Sequence, residues 1–278
     1  MQPNRPVNRF RDQPPTRPTP TPLSPRPATR RRLFAYIERW RQSWQKQPLL
    51  PRVVSLIIRA FLVFLVVSFG WVIVLKWVPV WVTPLVVSRW IDTFGTDKSG
   101  KVYKNWRSLD TLSPEAALAV VASEDQQFRV HWGFDFDEIQ DAIKDNQTRK
   151  RPRGASTISQ QVAKNVFLWN GRSYIRKGLE VYFTVLIELI WGKRRILEVY
   201  LNVAETGPMT FGIEAASRRF YGHSARSLTR DEAAGIAAVL PNPRQFSVTN
   251  PSNYIQRRTR FVAQQMRRMG GQRYLKNL

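Results

Sequence analysis

Between Val53 and Leu75 the chain reads VVSLIIRAFLVFLVVSFGWVIVL, 23 residues interrupted by one charge, Arg59. The uninterrupted part, Ala60 to Leu75, has 16 residues, short of the roughly 20 that cross a hydrocarbon core. Counting back to Val53 restores the length, with Arg59 near one end, where its stem can snorkel to the headgroups. A core helix this apolar on every side would need a large protein around it, so a retained membrane span is expected. A cleaved signal peptide fits poorly, because the segment before the span is long and no small-x-small cleavage pattern follows. Trp77, Trp81 and Trp90, alternating with Val and Pro, suit the far interface, where indole rings settle among headgroups.

Beyond Ser113 the apolar spacing becomes helical. Ser113, Pro114 and Glu115 read as N-cap, N1 and first-turn acid of a helix through Ala116, Leu118, Val120 and Val121. Asp135 or Asp137 caps the next, with Phe136, Ile139, Ala142 and Ile143 on one face. A third opens at Ser156 or Thr157. A fourth runs from Ser173 to Gly192, with Ile175, Leu179, Tyr182, Phe183, Leu186 and Ile190 on its apolar side. A fifth covers Lys193 to about Ala204. Thr229 and Glu232 form a capping box for another, which Pro241 stops, and a last amphipathic helix covers Pro251 to Met269. No convincing run of alternating strand residues and no internal repeat occurs. The fold class is mainly α.

Charge orders these segments. The formal net charge is +24, and residues 1–52 carry 12 Lys and Arg against Asp12 and Glu38. That segment is rich in Pro, Thr and Arg with almost no apolar periodicity, which predicts a disordered basic tail. The positive-inside tendency makes the tail cytoplasmic, residues 53–82 an anchor with an interfacial extension, and residues 83–278 an outer domain. The outer domain still holds 30 basic against 18 acidic residues, which suits anionic lipid or a phosphorylated substrate. Nucleic acid is not expected as a partner, since an exported domain rarely meets it and no stacking platform or nucleic-acid motif occurs. The absence of cysteine excludes a disulfide framework and thiolate chemistry.

The candidate chemistry begins in SEDQQFRVHWGFD, Ser123 to Asp135, where Glu124 and Asp125 stand side by side at the end of the first outer helix. The macrodipole there disfavours a carboxylate and should raise its pKa, which is useful in a proton acceptor. An acidic pair on a solvated helix end is the plain alternative. Phe128, Trp132 and Phe134 weigh against it by walling off water. His131 reads as a satisfied core histidine. In the third helix, four-residue spacing sets Ser156, Gln160 and Lys164 in one stripe and Thr157, Gln161 and Asn165 in the next, with Ile158, Val162 and Val166 facing inward. A merely solvated face would more often carry Glu and Lys than this hydroxyl-amide set. Arg149, Lys150, Arg151 and Arg153 precede the helix N-terminus, a natural anion site, although a flexible charged loop explains them equally.

The fourth helix aligns Arg176, Glu180, Thr184 and Glu188 in one row, with Lys177 adjacent. An Arg176–Glu180 pair in that order contributes at most roughly a few tenths of a kcal/mol, so stability alone explains it weakly. Glu188, embedded in Leu-Ile-Glu-Leu-Ile, reads as a paired structural carboxylate.

Together these segments resemble the bacterial peptidoglycan glycosyltransferases, most closely the monofunctional, membrane-anchored members. The family's Glu-Asp, Phe, His and Gly look like Glu124, Asp125, Phe128, His131 and Gly133. Its Gly-x-Ser-Thr-x-x-Gln-Gln is similar to Gly154, Ser156, Thr157, Gln160 and Gln161, and its Arg-Lys-x-x-Glu to Arg176, Lys177 and Glu180. ILEVYLNVAETGPMTFGIEAA and LTRDEAAGIAAVLPNP complete five blocks in the family's order, across roughly residues 113–243. Thr206 departs from the pattern, standing where a bulkier aromatic is expected. No Lys-Thr-Gly occurs, and the only Ser-x-x-Lys, Ser43 to Lys46, falls in the tail, so no transpeptidase activity is expected.

The resemblance implies a lysozyme-like helical domain on a single transmembrane helix in the bacterial inner membrane, with the catalytic domain periplasmic. It implies polymerisation of lipid II into β-1,4 glycan with inversion and release of undecaprenyl diphosphate. Glu124 is implied as the base and Glu180 as a second catalytic carboxylate, whose role, orienting the diphosphate shell or polarising the donor, stays open. Lys164, Arg176 and Lys177 are candidates for the leaving diphosphate, with Ser156, Thr157, Gln160, Gln161 and Asn165 around the substrate. Asp125 is the candidate ligand of a divalent cation, Mg2+ or Mn2+, although no metal-ligand spacing points to one; no organic cofactor is implied. The implied partners are lipid II, the growing lipid-linked glycan, membrane lipids and proteins of cell-wall synthesis or division. Two rivals stand beside this reading. A lytic enzyme with a single Glu acid gives no reason for the cations, and a non-catalytic cationic membrane protein gives none for the carboxylates.

Overall fold

The computed structural model describes Ala35, Glu38, Arg39 and residues 48–94, 100–148, 154–171 and 173–278. Most of the expected basic tail, and the run Arg149, Lys150, Arg151 and Arg153, lie outside the described residues. The chain divides into two compact units, residues 1–63 and 64–278.

Helix α1, Leu49–Leu75, begins in the first unit and ends in the second. Its 27 residues give a length of about 40 Å at the helical rise, enough to cross a bilayer core. In its most apolar window 11% of the residues are buried, which excludes the core-helix alternative. Within the first unit Val54, Ile57, Ile58, Phe61 and Leu62 are all exposed.

The second unit holds the C-terminal end of α1. Val72 and Leu75 are buried; the carbonyls of Ile73 and Val74 are taken by backbone amides of the turn that follows, and those of Val72 and Leu75 by side chains. Trp191 Nε1 donates to Val72 O at 2.7 Å, and Arg195 Nη2 donates to Leu75 O at 2.8 Å and Val78 O at 2.6 Å. These bonds satisfy groups that a helix end otherwise leaves orphaned. Thr83 then caps a short helix, α2, Pro84–Ile91, which the apolar pattern did not anticipate. Lys104 Nζ donates to the carbonyls of Val80 and Trp81, and burial lowers its pKa to about 8.

The helices expected after Ser113 form with their expected caps: Ser113 for α3 (Pro114–Glu124), Asp135 for α4 (Phe136–Asn146), Thr157 for α5 (Ile158–Phe167) and Ser173 for α6 (Tyr174–Ile190). Then follow α7 (Gly192–Val203), α8 (Ile213–Phe220), α9 (Arg230–Val239) with its Thr229–Glu232 capping box, and α10 (Asn253–Arg268). A small sheet also forms from β1 (Tyr103–Lys104), β2 (Glu205–Gly207) and β3 (Thr210–Phe211), in the order β1-β3-β2. β1 runs parallel to β3 and β2 antiparallel to it. Strands of two or three residues are too short to display a period of two, which is why the sequence pattern misses them.

α3 is the central element, buried from Ala116 to Ala122. On one side Val120 and Val121 join the main core with Phe128, Ile158, Ile187 and Tyr200. On the other, Leu118, Ala119 and Ala122 meet Ala233, Ala234 and Ala237 of α9 and Val262 and Met266 of α10. The small side chains let these helices approach closely, which brings α10 beside the end of α3.

α4 differs from its expected face: only Ala142 is buried, while Phe136 and Ile143 are 69% and 59% exposed. In α6 the expected apolar side packs on the core, with Phe183 buried, Leu179, Tyr182, Leu186 and Ile190 partly buried against it, and Ile175 exposed. The polar row Glu180, Thr184 and Glu188 is buried as well, and Val181, Val185 and Leu189 are exposed.

Candidate active site

The site starts where α3 stops. Glu124 is its last residue, and Asp125 leaves the helix at φ −164°, ψ 80°, so the two carboxylates part company. Asp125 turns inward. Its Oδ2 accepts from the backbone N–H of Ile158 at 2.9 Å, in the first turn of α5, and its Oδ1 lies 2.8 Å from His131 Nε2. His131 Nδ1 accepts the N–H of Gly133 at 3.1 Å, so Nε2 carries the ring proton and both nitrogens are satisfied. The core-histidine reading holds.

Gly133 is needed where it stands. Its φ is +83°, and a Cβ there would lie 2.7 Å from Thr184 Cγ2. Its carbonyl accepts Thr157 Oγ1 at 2.7 Å, joining the Ser123–Asp135 loop to the start of α5.

Glu124 faces the other way, into a cavity of about 830 Å³ lined in part by Gln126, Gln127, Ser156, Gln161, Arg258 and Phe261. Its Oε1 accepts from Ser123 Oγ at 3.1 Å, and its Oε2 from Gln161 Nε2 at 3.0 Å. Arg258 Nη2 stands 3.8 Å from Oε1 and donates to Ser123 Oγ at 3.1 Å. Burial pushes the Glu124 pKa above its ordinary value; the donors Gln161 and Ser123 and the charge of Arg258 pull against it, and Asp125 adds to the rise. Burial, more than the helix dipole, is therefore the cause of the raised pKa. Of the three aromatics expected to exclude water, Phe128 is fully buried, but Trp132 is 72% exposed and walls off nothing.

Across α5 from Glu124 lies a second buried carboxylate. Glu180 Oε2 accepts from Arg176 Nη1 at 2.9 Å, and its Oε1 accepts from Lys177 Nζ. Lys164 stands within electrostatic reach of both glutamates. Desolvation lowers its pKa, Arg176 and Lys177 add to that, and Glu180 and Glu124 oppose it. Arg176 Nε is buried with no hydrogen-bond partner among the described residues. Lys164, Arg176, Lys177 and Glu180 do not line the cavity that Glu124 faces, so carboxylate and cations form two adjoining regions.

The hydroxyl-amide stripes of α5 divide accordingly. Ser156 is exposed at the cavity and Gln161 reaches Glu124. Thr157 and Gln160 instead close the capping box of α5, with Thr157 Oγ1 accepting from Gln160 N–H and Gln160 Oε1 accepting from Thr157 N–H. They fix the helix start, and Thr157 also lines the cavity beside Ser156, while Asn165 is buried. Glu188 is structural as expected, held by Ser159 Oγ at 2.5 Å and Lys193 Nζ at 2.7 Å. Among the described residues no group of three or more His, Asp or Glu side chains could hold a metal. Both Asp125 oxygens are engaged, so these residues do not fit a protein-held divalent ion, and no step below runs through one.

Three residues escaped the sequence reading. Ser123 and Arg258 touch Glu124 directly, and Tyr200, fully buried, donates its hydroxyl to Gln161 Oε1 at 3.1 Å. Arg258 lies some 130 residues away, on the last amphipathic helix. No local spacing signals it.

The family model of the transglycosylases matches residues 91–267. A "Biosynthetic peptidoglycan transglycosylase" of Pseudomonas syringae pv. syringae is 47% identical over 230 residues, covering 83% of this chain and 98% of that protein. Proteins of the same name from Bdellovibrio bacteriovorus and Shewanella oneidensis are 50% and 55% identical, over 74% and 61% of this chain and 82% and 73% of their own lengths. A buried glutamate at a cavity, a cationic cluster beside it and this similarity across the outer domain converge: the chain belongs to the transglycosylase family and is a glycosyltransferase.

Proposed function

We propose that this protein polymerises lipid II into peptidoglycan glycan strands, with Glu124 as the base. The observation that carries the reading is the setting of Glu124: buried, facing a cavity of about 830 Å³, and held by two neutral donors and the more distant Arg258. It can therefore accept a proton, whereas Asp125 is already committed to His131 and Ile158.

Glu124 takes the proton from the 4-hydroxyl of the acceptor's N-acetylglucosamine. The oxygen forms its bond to the donor's anomeric carbon as the bond to the lipid diphosphate breaks, and the electron pair leaves with the diphosphate. One displacement inverts the centre and gives a β-1,4 linkage, with no covalent enzyme intermediate. The leaving group concentrates negative charge, and Lys164, Arg176 and Lys177 supply fixed positive charge beside the base. Glu180 holds Arg176 and Lys177 in place, which gives its open role a physical content. Any divalent ion would arrive with the substrate's diphosphate.

The exposed Ile175, Val181, Val185 and Leu189 of α6 and the exposed Trp132, Phe136 and Ile143 suit an outer domain resting on lipid, where a lipid-linked substrate is met. The basic tail would be cytoplasmic and residues 83–278 periplasmic, without transpeptidase activity. Incubating the full chain with labelled lipid II, and separately with intact cell wall, tests the reading. Polymer from lipid II is the expected result, and shortened wall strands without polymer would assign a lytic enzyme instead.

A further inference from the structure

A glutamine amide is nearly symmetric in shape, so the chemistry at both of its ends decides which one faces Glu124. Gln161 spans two buried groups: Nε2 lies 3.0 Å from Glu124 Oε2, and Oε1 lies 3.1 Å from the hydroxyl of Tyr200. Tyr200 comes from α7, is 1% exposed, and packs in the main core. We propose that Tyr200 is a positioning residue for the base: by donating to Gln161 Oε1, it fixes the amide with its N–H toward Glu124. The proposal rests on the reading of Glu124 as base and deepens it.

The geometry allows one consistent arrangement. An ionised carboxylate only accepts, so the amide N–H faces Glu124; that leaves the amide oxygen, also only an acceptor, toward Tyr200, whose hydroxyl can donate or accept and here donates. A reversed amide would set Oε1 against the Glu124 carboxylate and leave N–H groups against a hydroxyl that has lost its acceptor. Burial, with the charges of Glu124 and Asp125 nearby, holds the Tyr200 pKa well above its ordinary value, so this donor persists throughout the working range of pH. The groups facing Glu124 are Asp125 beside it, Lys164 of α5, Tyr200 of α7 and Arg258 of α10, with His131 one step away on Asp125. Of these, only Tyr200 acts on Glu124 through the Gln161 amide.

The test uses the full chain and the pH dependence of kcat with labelled lipid II. Tyr200→Phe keeps the ring in the core and removes only the donor. It should move the acidic limb of the profile upward by about half a unit to one unit and lower kcat about three- to tenfold below that limb, with KM unchanged. Gln161→Ala should move the same limb upward, and adding Tyr200→Phe to it should cause no further shift. A structural role alone would lower thermal stability and leave the limb in place. An unmoved limb in Tyr200→Phe, or additive shifts in the double variant, overturns the proposal. Should Tyr200→Phe fail to fold, an unmoved limb in Gln161→Ala overturns it as well. Glu124→Gln is the control: with that variant inactive, these results judge Tyr200 alone, whereas an active Glu124→Gln overturns the underlying reading.

Discussion

Glu124 and Glu180 are the same side chain, both taken largely out of water, on either side of one helix. Glu180 is answered charge for charge, each oxygen receiving a cation, Arg176 and Lys177. Glu124 is answered at close range by a hydroxyl and an amide, with the guanidinium of Arg258 at 3.8 Å. A carboxylate whose two oxygens each meet a cation is committed to those pairs. One held by neutral donors in a buried setting can still take up a proton. What the pair teaches is that burial alone does not make a base; the partners decide.

Perturbing each side should separate the two roles. Glu124→Gln should lower polymerisation by about 1,000-fold, within the range of general-base contributions, while the midpoint of thermal unfolding rises. The sign of the second effect follows from the raised pKa. A carboxylate whose folded pKa lies above its unfolded value binds more protons when folded, so its contribution to stability falls as pH rises through that window. The neutral isostere removes that penalty at neutral pH. Lys164→Ala should cost about 100-fold in turnover with little change in the melting curve. Glu180→Gln releases Arg176 and Lys177 without removing them, so about a tenfold loss is expected, carried more by KM than by kcat. The wild-type rate should rise with pH through a limb above the ordinary carboxylate range, because the ionised form of Glu124 is the competent one. Glu188→Gln serves as the outer reference: it should cost about 2 kcal/mol of stability and leave specific activity of the folded fraction unchanged.

Much of this contrast was legible in the chain. Caps at Ser113, Asp135, Thr157, Ser173 and Thr229 announce their helices because a short polar side chain before an apolar run satisfies orphan amides. Glu124 and the Arg176–Lys177–Glu180 cluster are local in sequence, and spacing finds them. Arg258 and Tyr200 reach the site only through the packing of α10 and α7, which no spacing reports. The apolar side of α6 was legible and packs on the core, but periodicity does not say that the polar row is buried beside it, which it is because cations meet Glu180 and Glu188 there. Thr157 and Gln160 also close a helix cap, since the same hydroxyl-amide chemistry that suits a substrate surface suits a helix start, and Thr157 does so while lining the cavity.

The most direct measurement is kcat for glycan formation from saturating labelled lipid II, taken for full-length Glu124→Gln and Glu180→Gln at equal folded protein. The account predicts about 1,000-fold less glycan from Glu124→Gln and continued turnover by Glu180→Gln at raised substrate concentration. Polymer from Glu124→Gln at a rate near that of the unsubstituted protein would contradict it.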